Sequence, residues 1–524
     1  MKKLLFLFFT VIALSSCVKY KTADLVVHNA RIYTVNQEFE VAQAMAIKDG
    51  KIIAIGKEHE IMNKFRAEEI FDAETLPIYP GFMDAHCHFM GSGLNSLAVD
   101  LSKVTTLPEM TSALQNHKNS HPTSRWIVGY GWNENNWNFP LDSVFRVLNQ
   151  QFEDNPVMLW RVDGHSLLVN YLAQIKAGYS FLEQTNGLIP EEDITLFTRA
   201  VQYTENQKKN GLRYAQENFL SKGVTTVTDA GLTPEELELM KKMFASGTLS
   251  ININAMLFFS ESASRHLPFS DSNKLTANTF KVMLDGSVGS QTACFTTPYL
   301  GTNSYGKLLM TRDSLHRICE LAYEQGAQLA VHTIGDSAVK VALEVMGKVL
   351  KGTNGLGWRI EHAQTVSAEQ LALFRKFAII PSVQPTHLYD DQNMAEQRLP
   401  LSVLHNSYRL RSLLEQNQSL ALGTDFPVAS ASPIHTFYHS VYRANKPWVL
   451  QKENLTREEA LRGITFWVAL ANKSYERNGS LEVGKQADFV LLNRDIMKIP
   501  KEEIIETEVL RTYISGGLEY SKLN

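Results

Sequence analysis

Apolar and polar positions alternate in different styles along this chain of 524 residues. From Ala23 to about Pro80 the apolar runs are short and β-rich: Leu25-Val26-Val27, Ile32-Tyr33-Thr34-Val35 and Ala44-Met45-Ala46-Ile47. The last leads through Lys48 into Asp49-Gly50 and returns as Ile52-Ile53-Ala54-Ile55, and an Asp-Gly pair between apolar runs predicts a hairpin. The far end has the same character, with Ala487-Asp488-Phe489-Val490-Leu491-Leu492, then Arg511-Thr512-Tyr513-Ile514, a Gly516-Gly517 turn and Leu518-Glu519-Tyr520. Neither end holds enough strands for a core of its own. Residues 23–79 and 471–524 are therefore expected to pair into one discontinuous β domain, with the middle of the chain inserted into it.

That middle, residues 80–470, alternates short apolar strands with amphipathic helices. The strands are expected to end at His88, Asp229, Phe259, Leu284, His332, His362, Gln384 and Asp425. Leu315, Ile318, Cys319 and Ala322 recur at helical spacing before Gly326, and Ala338, Val341, Ala342, Val345 and Val349 do the same. Strands alternating with helices imply a parallel sheet. About eight such units, with polar residues gathered at strand C-termini, predict an α/β fold of the (β/α)8 barrel type. One connection, roughly 101–222, is too long for a βα loop and carries Trp126, Trp132, Trp137 and Trp160. It reads as a cap over the barrel mouth or as a subdomain packed on the outside.

Composition narrows the classes. The formal net charge of -4 and the lack of a basic stripe argue against nucleic acid as a partner. Met1-Lys2-Lys3 and the apolar Leu4 to Leu14 form a leader too short to span a bilayer. Leu14-Ser15-Ser16-Cys17 resembles a bacterial lipobox, with residues 1–17 as a lipoprotein signal and Cys17 as the lipidated residue. This implies a protein anchored in the bacterial cell envelope, and Val18 after the cysteine points to the outer membrane, facing the periplasm. The remaining cysteines, Cys87, Cys294 and Cys319, are scattered and build neither a disulfide framework nor a zinc knuckle.

The chemistry concentrates at the strand ends. In Gly81-Phe82-Met83-Asp84-Ala85-His86-Cys87-His88, residues i and i+2 of a strand share a face, so His86 and His88 can grip one metal ion through neutral imidazoles. Alone, such a pair is more often incidental. It gains weight from Lys281, His332, His362 and Asp425, each following a β-rich run, where barrel enzymes place catalytic groups. Strand alternation predicts that Cys87 points away from the histidines. By the same rule Arg359 and Glu361 point away from His362, into the barrel's outer layer.

The ordered pattern resembles the amidohydrolase superfamily. The phrases Pro80 to His88, Lys281 to Gly286, His332-Thr333-Ile334-Gly335-Asp336, Arg359 to Gln364 and Gly479 to Asp488 are similar to its YtcJ-like branch, the amidohydrolase 3 group, which includes N-substituted formamide deformylases. The resemblance implies a divalent metal centre, usually zinc, with His86 and His88 holding one ion and His332 and His362 another. Lys281 would bridge them as a carbamate, the CO2 adduct supplying anionic oxygens that an ammonium lacks. A lysine paired with Asp285, or a single ion, is the alternative. Asp425 would bind metal and carry the proton during hydrolysis of a C–N bond by metal-activated water. His165, Trp132, Trp137, Asp285 and His387 could contact a small-molecule amide, each with an equally good structural reading. Two other functions compete: deamination of a ring amidine, against which Lys281 argues, and ligand capture without catalysis, which has no use for Asp425.

Overall fold

Eight parallel strands lie side by side in chain order: β1 (Phe82–Cys87), β2 (Val224–Leu232), β3 (Asn252–Phe258), β4 (Leu275–Met283), β5 (Gln328–Thr333), β6 (Arg359–His362), β7 (Ile380–Val383) and β8 (Ala421–Leu422). The computed structural model describes residues 20–523 apart from 123, 181–185, 272–273 and 353. The leader and Cys17 lie outside the described residues. Every strand is almost wholly buried, as expected of parallel strands covered by helices. The register sets chemistry side by side, with His332 opposite Glu361 and Thr333 opposite His362.

β1 and β8 meet just beyond the ladder. Asp425 N donates to His86 O at 2.7 Å and His88 N donates to Phe426 O at 2.8 Å, which brings the barrel's two edges together at its mouth. Gly423 permits the approach, because a Cβ there would lie 2.6 Å from His86 N. Around the sheet, the helices Arg312–Glu324 and Asp336–Leu350 bury the apolar stripes that their spacing predicts.

The two chain ends pair. Phe489–Leu492 runs antiparallel to Pro77–Pro80, with Val490 opposite Tyr79, inside a six-stranded sheet. A four-stranded sheet of N-terminal strands shares a core with it, in which Leu25, Val27 and Ile32 meet Phe489, Leu491 and Tyr513. Asp49 and Gly50 both have positive φ, 51° and 75°, as a two-residue hairpin turn requires. The C-terminal turn sits one residue earlier than expected, on Ser515 (φ 49°) and Gly516 (φ 75°), and Gly517 already belongs to the next strand.

The segment after β1 has its own five-stranded sheet and its own core of Val99, Leu101, Leu114, Leu148 and Leu159. Its last helix, Glu205–Leu220, sends Leu212, Ala215 and Phe219 into the barrel's core and so belongs to the barrel wall. The insert reaches the barrel mouth through Asp163, whose Oδ2 accepts from Ser287 Oγ at 2.6 Å and Ser290 Oγ at 2.9 Å on the loop after β4. That contact makes it a cap.

Candidate metal centre

His86 stands at the end of β1, fully buried, with its Nδ1 2.5 Å from Glu361 Oε2. A proton on Nδ1 is held by that carboxylate, which leaves Nε2 with a lone pair facing the mouth. Glu361 is itself gripped by Arg359, whose Nη2 also donates to Ala85 O at 2.7 Å and Ser382 Oγ at 2.6 Å. Arg359 and Glu361 are thus inside the barrel and not in its outer layer. Strand alternation breaks at His362, where φ is 69°, followed by Ala363 at φ 40°, so the chain turns out of strand geometry there. The turn swings His362 over the mouth although its neighbour already faces inward.

His362 Nδ1 lies 2.7 Å from Gln384 Oε1 at the end of β7, the same orienting device in neutral form. His332, on β5, has its Nε2 3.1 Å from Gly286 O, and its ring centroid is 4.5 Å from that of His362. Burial holds His86 down to about 4 and keeps His332 and His362 well below the usual imidazole value, so all three are neutral, as metal ligands must be. Lys281 Nζ is 3.3 Å from His86 Nε2, and burial lowers its pKa to about 8.

Asp425 closes the cluster from the loop after β8, in a left-handed backbone conformation (φ 58°). His88 Nε2 is 3.1 Å and His86 Nε2 3.5 Å from its Oδ1, while His387 Nε2 is 3.6 Å from its Oδ2. Burial raises its pKa, but His88, whose Nε2 approaches Oδ1 to 3.1 Å, leads the opposing effects, and the carboxyl is held well below the usual range. Oδ1 nevertheless lacks a hydrogen bond, because His88 is close without hydrogen-bonding geometry. Below the cluster, Asp84 accepts from His86 N, Thr424 N and Thr424 Oγ1, tying β1 to the Asp425 loop.

Donor atoms of His86, His362 and Asp425 lie within 4.8 Å of one another, all buried. Two imidazoles oriented from behind and an ionised carboxylate with an unbonded oxygen fit a divalent cation. His88, Lys281 and His332 border this triad. Among the other expected contacts, His387 faces Asp425, and the His165 ring lies 5.2 Å from that of His332. Burial opposes charge on His165, but Glu191 at 2.7 Å, with Asp163, raises its pKa to about 9. Asp285 accepts from the backbone N–H of Cys294, Ile334 and Gly335 and so shapes the loops after β4 and β5. Trp132 is 1% exposed, donates its indole N–H to Leu159 O and belongs to the cap's own core, whereas Trp137, stacked on it, is half-buried and its indole N–H has no hydrogen-bond partner among the described residues. Sequence reasoning missed Asp84, Glu361 and Gln384. The available signal was a charged residue inside an otherwise apolar strand for Asp84 and Glu361, and an amide just past the strand's end for Gln384.

Comparison with known proteins agrees with this geometry. Residues 69–519 match the model of the amidohydrolase family. Three relatives run nearly the length of the chain. Protein LONG AFTER FAR-RED 3 of Arabidopsis thaliana is 31% identical, covering 95% of this chain and 92% of its own. The putative amidohydrolase YtcJ of Bacillus subtilis (strain 168) is 26% identical, covering 94% and 99%. The N-substituted formamide deformylase of Arthrobacter pascens is 25% identical, covering 95% and 98%. Among solved structures, an uncharacterized metal-dependent hydrolase from Pyrococcus horikoshii OT3 superposes with a TM-score of 0.78 at 26% identity, over 91% of this chain and 99% of that one. The site and the barrel define a metal-dependent hydrolase acting on C–N bonds. The chain belongs to the amidohydrolase family.

Proposed function

We propose that the protein hydrolyses an amide-type C–N bond in a small molecule of the N-substituted formamide or N-acyl class, using zinc. The observation that carries this reading is the buried His86–His362–Asp425 cluster at the barrel mouth. The name of one relative, N-substituted formamide deformylase, supports the bond type. His86 and His88 would hold one ion, and His332 and His362 a second. Lys281 supports a bridging role: it is buried beside His86, and an amine held near 8 is available for carboxylation to a carbamate. A bound divalent ion supplies Lewis acidity and lowers the pKa of its water toward about 7.

The chain's own residues do the rest. Asp425, ionised and with a free oxygen, accepts the attacking water's proton and returns it to the leaving amine. His165, protonated beside Glu191, is placed to donate a hydrogen bond to the substrate's carbonyl oxygen at the cap side of the mouth. Glu361 and Gln384 keep His86 and His362 in one tautomer and one orientation through turnover. The cap excludes water from the reacting centre.

The test is to strip the purified protein with chelator, reload it with Zn2+, and follow amine release from N-formyl and N-acyl compounds. Activity that neither falls on stripping nor returns on loading ends the proposal. Ammonia release from amino-heterocycles alone would replace it with deamination. Lipid anchoring at Cys17, in the bacterial envelope, is part of the same proposal. Radiolabelled palmitate should enter the wild-type chain and not Cys17→Ala.

A further inference from the structure

Three of the four histidines at the mouth are oriented by a group from elsewhere in the barrel. His86 has Glu361, His362 has Gln384, and His332 Nε2 lies against Gly286 O. His88 is different. Among the described residues its ring meets a polar partner only at Nε2, on the metal side, where Asp425 Oδ1 lies 3.1 Å away. Its side chain is 35% exposed, and no group holds the ring from behind. The direction of this imidazole therefore depends on the backbone that carries it.

That backbone is the start of a helix. His88 occupies the N-cap of the helix Phe89–Asn95, with φ -111° and ψ 75°, yet its side chain makes no capping bond. An N-cap side chain ordinarily turns back to accept from the first-turn N–H groups. An imidazole aimed at a metal does not reach them, and those orphaned donors need another acceptor. Asp229 supplies it from β2, the strand beside β1, where it stands opposite Cys87. Its Oδ1 accepts from Phe89 N at 3.1 Å and its Oδ2 from Met90 N at 2.9 Å, and the residue is 1% exposed.

Capping alone does not call for this arrangement. The next helix, Pro234–Ala245, is capped by its own Thr233, whose hydroxyl accepts from Glu236 N at 3.3 Å. The two oxygens of Asp229 instead hold two consecutive N–H groups and so fix the peptides that follow His88. The peptide before it is fixed by His88 N, which donates to Phe426 O at 2.8 Å. The helix has a second anchor further along. Gly93 packs on the backbone of Gly211 in the helix Glu205–Leu220, where a Cβ would lie 2.5 Å from Gly211 O.

We propose that Asp229 is the positioning residue for His88: it takes over the capping of the helix that His88 opens and so frees the imidazole for the metal. This rests on the reading of His88 as a metal ligand. Asp229 then does through the backbone what Glu361 and Gln384 do through a direct bond to the ring.

The experiment measures the Zn2+ affinity of the full-length protein by chelator competition. Asp229→Ala should weaken it by about 10- to 100-fold, and Asp229→Asn, which keeps one acceptor, should recover part of the loss. Thr233→Ala removes an ordinary cap from the neighbouring helix and should lower the melting temperature while leaving Zn2+ affinity unchanged. Equal losses of affinity in Thr233→Ala and Asp229→Ala would reduce Asp229 to general support and overturn the proposal. Wild-type affinity in Asp229→Ala, when His88→Ala binds weakly, also overturns it and leaves the metal reading intact. If His88→Ala binds as tightly as wild type, the ligand reading of His88 fails, and the crystal structure of metal-free Asp229→Ala decides the rest. A His88 ring displaced from Asp425 supports Asp229 as its positioner, and a ring that keeps its place sinks the idea.

Discussion

Two carboxylates show how this molecule separates stability from chemistry. Asp495, where the chain ends meet, accepts from Tyr33 Oη at 2.9 Å, Tyr79 Oη at 3.0 Å, Arg31 Nη1 at 3.4 Å and Met497 N at 3.1 Å. Both of its oxygens are satisfied by groups of the protein, and the Tyr33 and Tyr79 rings stack 5.1 Å apart above it. Asp425 is more enclosed but lies among four imidazoles without a hydrogen bond to Oδ1, on a backbone conformation that L-residues seldom adopt. The first arrangement is complete without a ligand. The second is complete only with one, and strained, under-satisfied geometry of that kind clusters at functional sites.

If that contrast is right, four substitutions should fall in a definite order. Asp425→Asn removes the proton carrier and should cut turnover by about 10²- to 10⁴-fold while folding is preserved. Near-normal turnover with metal bound would erase the distinction. Glu361→Gln weakens the grip on His86 and should reduce metal affinity by about 10- to 100-fold, read by competition with a chromogenic chelator. Asp495→Ala should do the opposite, leaving kcat alone and costing roughly 1–3 kcal/mol of stability as two buried tyrosine hydroxyls lose their acceptor. Urea denaturation measures it.

The smallest effect concerns the clamp between cap and barrel. Burial raises the Asp163 pKa, but Arg161 and His165 outweigh it and hold the carboxyl below its usual value. Its stabilisation is therefore present above the unfolded-state pKa, about 3.9, and is lost as pH falls through the folded-state value. Asp163→Asn should be less stable than wild type at neutral pH by about 1 kcal/mol, and the gap should close in acid. A gap that is constant with pH would mean that the carboxylate charge does not hold the cap.

Much of the architecture was legible because its signals are local. The Asp49-Gly50 hairpin, the helix stripes at Leu315 and Ala338, and all eight barrel strands fall within a few residues of where period and turn chemistry place them. Three of the ligand candidates, His86, His362 and Asp425, were legible for the same reason, since histidine and aspartate at the ends of β-rich runs are conspicuous. Orientation was not. The inward direction of Glu361 depends on where the chain leaves strand geometry, and a positive φ at a non-glycine residue leaves no trace in composition. Trp132 looked like a pocket wall, but it fills the cap's core, because aromatic content cannot tell a cleft from a core.

By itself the sequence determined the order of strands and helices, the reactive residue types and the family, because backbone periodicity and residue chemistry act over a few positions at a time. Tertiary structure alone decided that Asp84 and Thr424, 340 positions apart, share a hydrogen bond. It also decided that Asp425 Oδ1, set among imidazoles, is left without a hydrogen bond. Both follow from barrel closure, which brings strand ends together in a low-dielectric mouth where each unsatisfied donor or acceptor becomes a demand for a ligand.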